Sequence, residues 1–159
     1  MFKRFSLLSL CAAVAVAFAV APADAKKPPV KPKKAYWYST GRVPTTSAFA
    51  AHVGVSSNKY FDYLKATGGC SFYRALNPIS GQTKIKGKSK KFSVDTTATL
   101  YSPKLKAQTT VTIKIDGKFK TSNKITGKYT VSDTSGECTA AQMAEHNFSA
   151  KARFKQTGG

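Results

Sequence analysis

VTIKIDGKFKTSNKITGKYTV, residues 111–131, holds its large apolar side chains at odd positions and its lysines at even ones. Val111, Ile113, Ile115, Phe119, Ile125, Tyr129 and Val131 form the first set, and Lys114, Lys118, Lys120, Lys124 and Lys128 the second. Side chains alternate between faces along a strand, so the segment reads as a β-hairpin with one buried face and one cationic face. Asp116-Gly117 has the composition of a tight hairpin turn. Turning there would oppose Ile115 to Lys118 and Ile113 to Lys120, bringing ammonium groups onto the core face, so parity rejects it. A three-residue loop Thr121-Ser122-Asn123, with Asn123 left-handed, instead opposes Phe119 to Ile125, Ile115 to Tyr129 and Ile113 to Val131. In that register Asp116 faces Lys128, and Gly117 meets Gly127, leaving room for a bend or bulge.

The same alternation recurs outward from this hairpin. Phe49, Ala51, Val53 and Val55 share a face; so do Phe92, Val94, Ala98 and Leu100, and Phe148, Ala150, Ala152 and Phe154. IKGK (85–88), IDGK (115–118) and ITGK (125–128) repeat at uneven spacing, which fits equivalent places in one sheet better than a solenoid. Long helical periodicity is missing. Thr139 and Gln142 suit a capping box opening a short helical turn that ends by His146. About seven or eight short strands separated by Gly/Ser turns predict an all-β, antiparallel fold. A β-sandwich is the favoured arrangement and a small closed β-barrel the alternative.

The N-terminus sets the compartment. Lys3 and Arg4 precede the apolar run SLLSLCAAVAVAFAV (6–20), and Ala23-Asp24-Ala25 offers a small-x-small cleavage site. The run is too short for a comfortable membrane span. Residues 1–25 therefore read as a signal peptide, and the protein as secreted, extracellular or associated with the cell wall. KKPPVKPKK (26–34) reads as an extended basic linker or tail, and 35–159 as a single domain. With the leader removed only Cys70 and Cys138 remain, and in an oxidising exterior they should pair. The bridge closes a loop of about 70 residues and contributes about 4 kcal/mol on the chain-entropy model.

The strand-rich stretch ending in Cys70, the IxG hairpins, Cys138 shortly after ITGKYTVSDTSGE, and the closing FSAKAR resemble small secreted all-β domains common in actinobacteria. The likeness covers most of residues 35–155. It implies a disulfide-tied β fold and an extracellular location, and carries over no activity and no site residue.

Catalytic and metal-binding patterns are thin. The acids after the leader are Asp62, Asp95, Asp116, Asp133, Glu137 and Glu145, with His52 and His146. Alternation turns Asp62, Asp95 and His52 outward, and metal-ligand spacings of the CxxC or HExxH kind are absent. The chain is therefore read as non-enzymatic, with no metal and no cofactor.

The basic residues are the larger signal. The whole chain carries 26 Lys and Arg against 7 Asp and Glu. Lys3, Arg4 and Asp24 leave with the leader, so the remainder stays near +18, with 21 lysines and 3 arginines. Small domains more often carry a charge of about 2–8 in magnitude. Lysine is a mobile point charge, whereas arginine suits bidentate gripping, so this balance favours diffuse attraction to a polyanion. The expected partner is an anionic cell-wall polymer or another anionic surface, with nucleic acid disfavoured by the weak interleaving of aromatics. Lys84, Lys86, Lys88, Lys114, Lys118, Lys120, Lys124 and Lys128 are the candidate contacts. A second reading places sugar rings on exposed aromatics at Tyr36, Trp37 and Tyr38. A third leaves the lysines only keeping strand faces soluble.

Overall fold

The 111–131 hairpin folds in the register that parity requires. In the computed structural model, which describes residues 28–68, 70 and 83–156, Phe119 pairs with Ile125, Ile115 with Tyr129, Ile113 with Val131 and Asp116 with Lys128. Its strands are β6, Ala107–Thr121, and β7, Lys124–Asp133. The turn differs from expectation. Thr121 pairs with Lys124, the loop is Ser122-Asn123, and the register shifts between Phe119 and Thr121, so Lys120 is the extra residue. Asn123 is not left-handed. The Thr121 hydroxyl accepts from its N–H at 3.2 Å, so a side-chain bond does the work assigned to a backbone conformation.

The other strands are β1 (Tyr36–Ser39), β2 (Phe49–Val53), β3 (Tyr60–Ala66), β4 (Thr83–Lys84), β5 (Lys91–Ser102) and β8 (His146–Lys155). All eight lie in one sheet, ordered β4-β3-β2-β1-β8-β7-β6-β5. Each paired strand is antiparallel to its neighbour. The sheet is a meander whose last strand returns to its first, and an isolated bridge from Lys86, two residues after β4, to Lys91 at the start of β5 brings the two outer strands together. The result is a nearly closed barrel, the second of the two arrangements expected from sequence. Alternation says that one face is buried; it does not say whether that face meets a second sheet or curls onto itself. The β1–β8 pairing decides for the barrel. Thr139 caps helix α1, Ala140–Met143, through a reciprocal capping box with Gln142.

Rings fill the interior, as an eight-stranded barrel of this kind allows. Phe49 stacks on Phe148 at 3.9 Å between centroids, Phe61 meets Phe92 edge-on at 4.8 Å, and Tyr38 meets Phe119 at 5.3 Å. Gly117 and Gly127 are directly opposite, and the register passes through them without a shift. Their role is to seat rings. Phe92 is the cross-strand partner of Gly117 and Phe148 that of Gly127. A Cβ on Gly117 would lie 2.4 Å from the Phe92 ring, and one on Gly127 2.1 Å from the Asp116 carbonyl oxygen.

Cys70 and Cys138 form the expected disulfide, with Cα atoms 5.6 Å apart and both residues buried. Beside it, Asp133 accepts from the Ser135 hydroxyl and N–H and from the Cys138 N–H. Glu137 accepts from the Ser102 hydroxyl at 2.6 Å and the Lys104 N–H at 2.8 Å, tying the β5–β6 turn to the disulfide-bearing turn. The expected signal peptide lies outside the described residues. The later part of the basic tail is docked rather than a free linker. Val30 packs against the core, Pro32 is buried and accepts from Asn58, and the Lys33 N–H donates to the Tyr38 hydroxyl. Among the described residues no helix is long and apolar enough to cross a membrane.

Candidate polyanion-binding surface

Register decides which lysines become neighbours. On the outer face Lys86 is directly opposite Lys91, Lys91 opposite Lys118, and Lys118 opposite Thr126, which is itself opposite Ser149. Lys124 is likewise opposite Lys151. Cross-strand partners have Cβ atoms about 4.5–5.5 Å apart, and like charges in that relation are destabilising. The odd-even rule that buries Phe92 and Phe119 is what forces Lys91 and Lys118 outward, and Lys120, the bulge residue, is exposed beside them.

A second outer row runs beside the first. Ser93, Asp116, Lys128 and Asn147 are opposite one another across β5, β6, β7 and β8. Residues two apart on one strand face the same way, so the rows lie about 6.6–6.8 Å from each other. Between them the strands carry the row Phe92, Gly117, Gly127, Phe148, whose rings turn inward. Two grooves form here. One, of about 620 Å³, lies at the β4–β5 seam and includes Lys84 and Lys86. The other, of about 570 Å³, includes Lys118, Lys120, Lys128 and Asn147. They share Lys91, Asp116 and Gly117, so they adjoin, and the pair forms a shallow, open trough with lining residues from β4 to β8.

Five of the expected lysines therefore converge: Lys84, Lys86, Lys118, Lys120 and Lys128. Three do not line the trough. Lys88 sits in the turn after β4, Lys114 pairs with Asp95 at 3.3 Å, and Lys124 belongs to the neighbouring pair with Lys151. Lys128 also has a carboxylate partner, Glu145 at 2.7 Å. Both ion pairs are well exposed and worth about 0–1 kcal/mol each. Lys86, Lys91, Lys118 and Lys120 have no carboxylate within 4.0 Å among the described residues. Lys91 and Lys151 were missed by sequence reasoning although parity points to both: one precedes Phe92 and the other lies between Ala150 and Ala152.

Of the three aromatics of the alternative reading, Tyr38 is lost to the core and Tyr36 is half-buried against it. Tyr38 faces the core, is fully buried, and donates its hydroxyl to the Ser122 carbonyl at 2.5 Å. Burial pushes its pKa up to about 12. Tyr36 also packs against the core, with the Lys33 ammonium 4.8 Å from its ring centroid. Only Trp37 stays on the outer face, and there it covers His52 at 4.9 Å and meets Tyr63 edge-on at 5.0 Å. His52 is thus on the outer face, as parity requires, yet only 3% exposed. Its Nδ1 is 2.6 Å from the Asp62 carboxylate, while Nε2 has no partner. No family model, curated protein or solved structure matches the chain, so its function is argued from this surface alone.

Proposed function

We propose that this is a secreted, non-enzymatic basic β-barrel that holds to an anionic polymer of the cell envelope through the trough across β4–β8. The observation that carries the reading is the row Lys86, Lys91, Lys118, three exposed lysines opposite one another in register without a carboxylate partner. Solubility needs lysines on the surface; it gains nothing from stacking them in repelling cross-strand pairs. A polyanion turns that repulsion into binding energy by replacing counterions along the row. Lysine rather than arginine supplies the charge, which suits a flexible chain of point anions more than one shaped anion.

The test is retention of the chain from Lys26 onward on anionic cell-wall material across a salt series. Retention should collapse as salt rises. Replacing Lys91, Lys118 and Lys120 by Gln should lower the eluting salt concentration far more than replacing Lys59, Lys106 and Lys155, exposed lysines outside the trough. Equal losses from the two sets would leave net charge as the whole cause. No retention at low salt would sink the proposal.

A further inference from the structure

Asp116 is out of place in a site built only for anions. Among the described residues Asp62 pairs with His52, Asp95 with Lys114 and Glu145 with Lys128, while Asp133 and Glu137 are bonded within the disulfide-side turns. The Asp116 carboxylate alone has neither an ion pair nor a hydrogen bond, and it is exposed where the two grooves meet. Against a bare polyanion it can only repel. Asp95 also lines the first groove but is paired with Lys114, so against a hydroxyl Asp116 is the strongest unpaired acceptor the trough offers, since a carboxylate accepts at two oxygens. Its row supplies further hydroxyl-reading groups, Ser93 on one side and Asn147 beyond Lys128 on the other.

We infer that the trough takes a polyol phosphate polymer, a phosphodiester chain with free hydroxyls between its charges, and that Asp116 is the residue selecting for those hydroxyls. This rests on the reading of the trough as a polyanion site. The cationic row Lys86, Lys91, Lys118 would hold the phosphates, and the parallel row through Asp116 the polyol. At the ordinary strand spacing the three lysines span about 10 Å and the row through Asp116 about 14 Å, room for a short run of repeat units. RNA shares the phosphodiester and the hydroxyl, but the outward side chains of both rows include no aromatic ring on which a base would stack.

The experiment measures binding of poly(glycerol phosphate) and of inorganic polyphosphate with the same number of charges, at one low salt concentration. The proteins are the wild type, Asp116→Ala and Asp116→Asn. The wild type should prefer poly(glycerol phosphate) by about tenfold. Asp116→Ala should tighten polyphosphate and weaken poly(glycerol phosphate), so the preference disappears. Asp116→Asn, neutral but still an acceptor, should keep part of it. Tightening of both polymers by the same factor in both variants would overturn the inference while leaving the trough a polyanion site. Single-stranded RNA held as tightly as poly(glycerol phosphate) would overturn the choice of polymer. Failure of every polymer to bind would overturn the underlying reading as well.

Discussion

Gly117 and Gly127 look interchangeable in the sequence, each an apolar residue, a spacer and Gly-Lys, but their surroundings are not alike. An added Cβ on Gly127 would strike backbone, the Asp116 carbonyl at 2.1 Å and the Gly117 Cα at 2.7 Å, whereas the atoms nearest to one on Gly117 belong to the Phe92 ring. Gly127→Ala should therefore cost about 3 kcal/mol in urea unfolding, and Gly117→Ala measurably less, because a ring can shift and a paired strand cannot. Asp133 carries an acid-side prediction. Burial by itself would raise its pKa, but hydrogen bonds from the Ser135 side chain and from the Ser135 and Cys138 backbone outweigh burial and hold it below the ordinary 3.8. A depressed carboxylate stabilises the fold above its unfolded pKa and loses that stabilisation as pH falls through the folded value. The stability gap between wild type and Asp133→Asn should accordingly stay level down to about pH 5 and narrow below about pH 4.

The β6–β7 hairpin shows how far strand patterning reaches. Its register from Ile113–Val131 to Phe119–Ile125 was legible because a slip of one residue would bury Lys114, Lys118 and Lys128. Its turn was not, because Lys120 bulges out just beyond the last core pair, where no buried side chain enforces parity. The basic tail was misread for a similar reason. Val30 and Pro32 dock, but two residues in a run dominated by lysine leave no period to read. The lysine row itself makes a prediction about stability. Lys118→Glu would place opposite charges across β5 and β6 at Lys91, so the variant should gain about 0.5 kcal/mol at low salt. The gain should fade as salt is added. Its binding to anionic wall material should weaken at the same time, since what relieves the row removes its attraction.

Closure of the sheet was the part of the fold that sequence left open, because strand alternation is the same in a sandwich and a barrel. The consequence for the proposed site is large. In the barrel β4 and β5 become neighbours through the Lys86–Lys91 bridge, which brings Lys84 and Lys86 to the lysines of the hairpin and makes one trough of two lysine clusters. Fold class, the disulfide and five of the trough lysines were readable from periodicity and cysteine count. Asp116 as the unpaired member was not, because Asp95 and Glu145 take their lysines from other strands. Two-dimensional NMR of the 15N-labelled chain, titrated with a short poly(glycerol phosphate) at low salt, locates the contact. The amides of Lys91, Gly117, Lys118, Lys120 and Gly127 should shift most, with the exposed Lys59, Lys88, Lys106 and Lys155 close to unmoved. Shifts spread evenly over all exposed lysines, with the two glycines still, would mean that the trough is not a site and that charge alone draws the polymer.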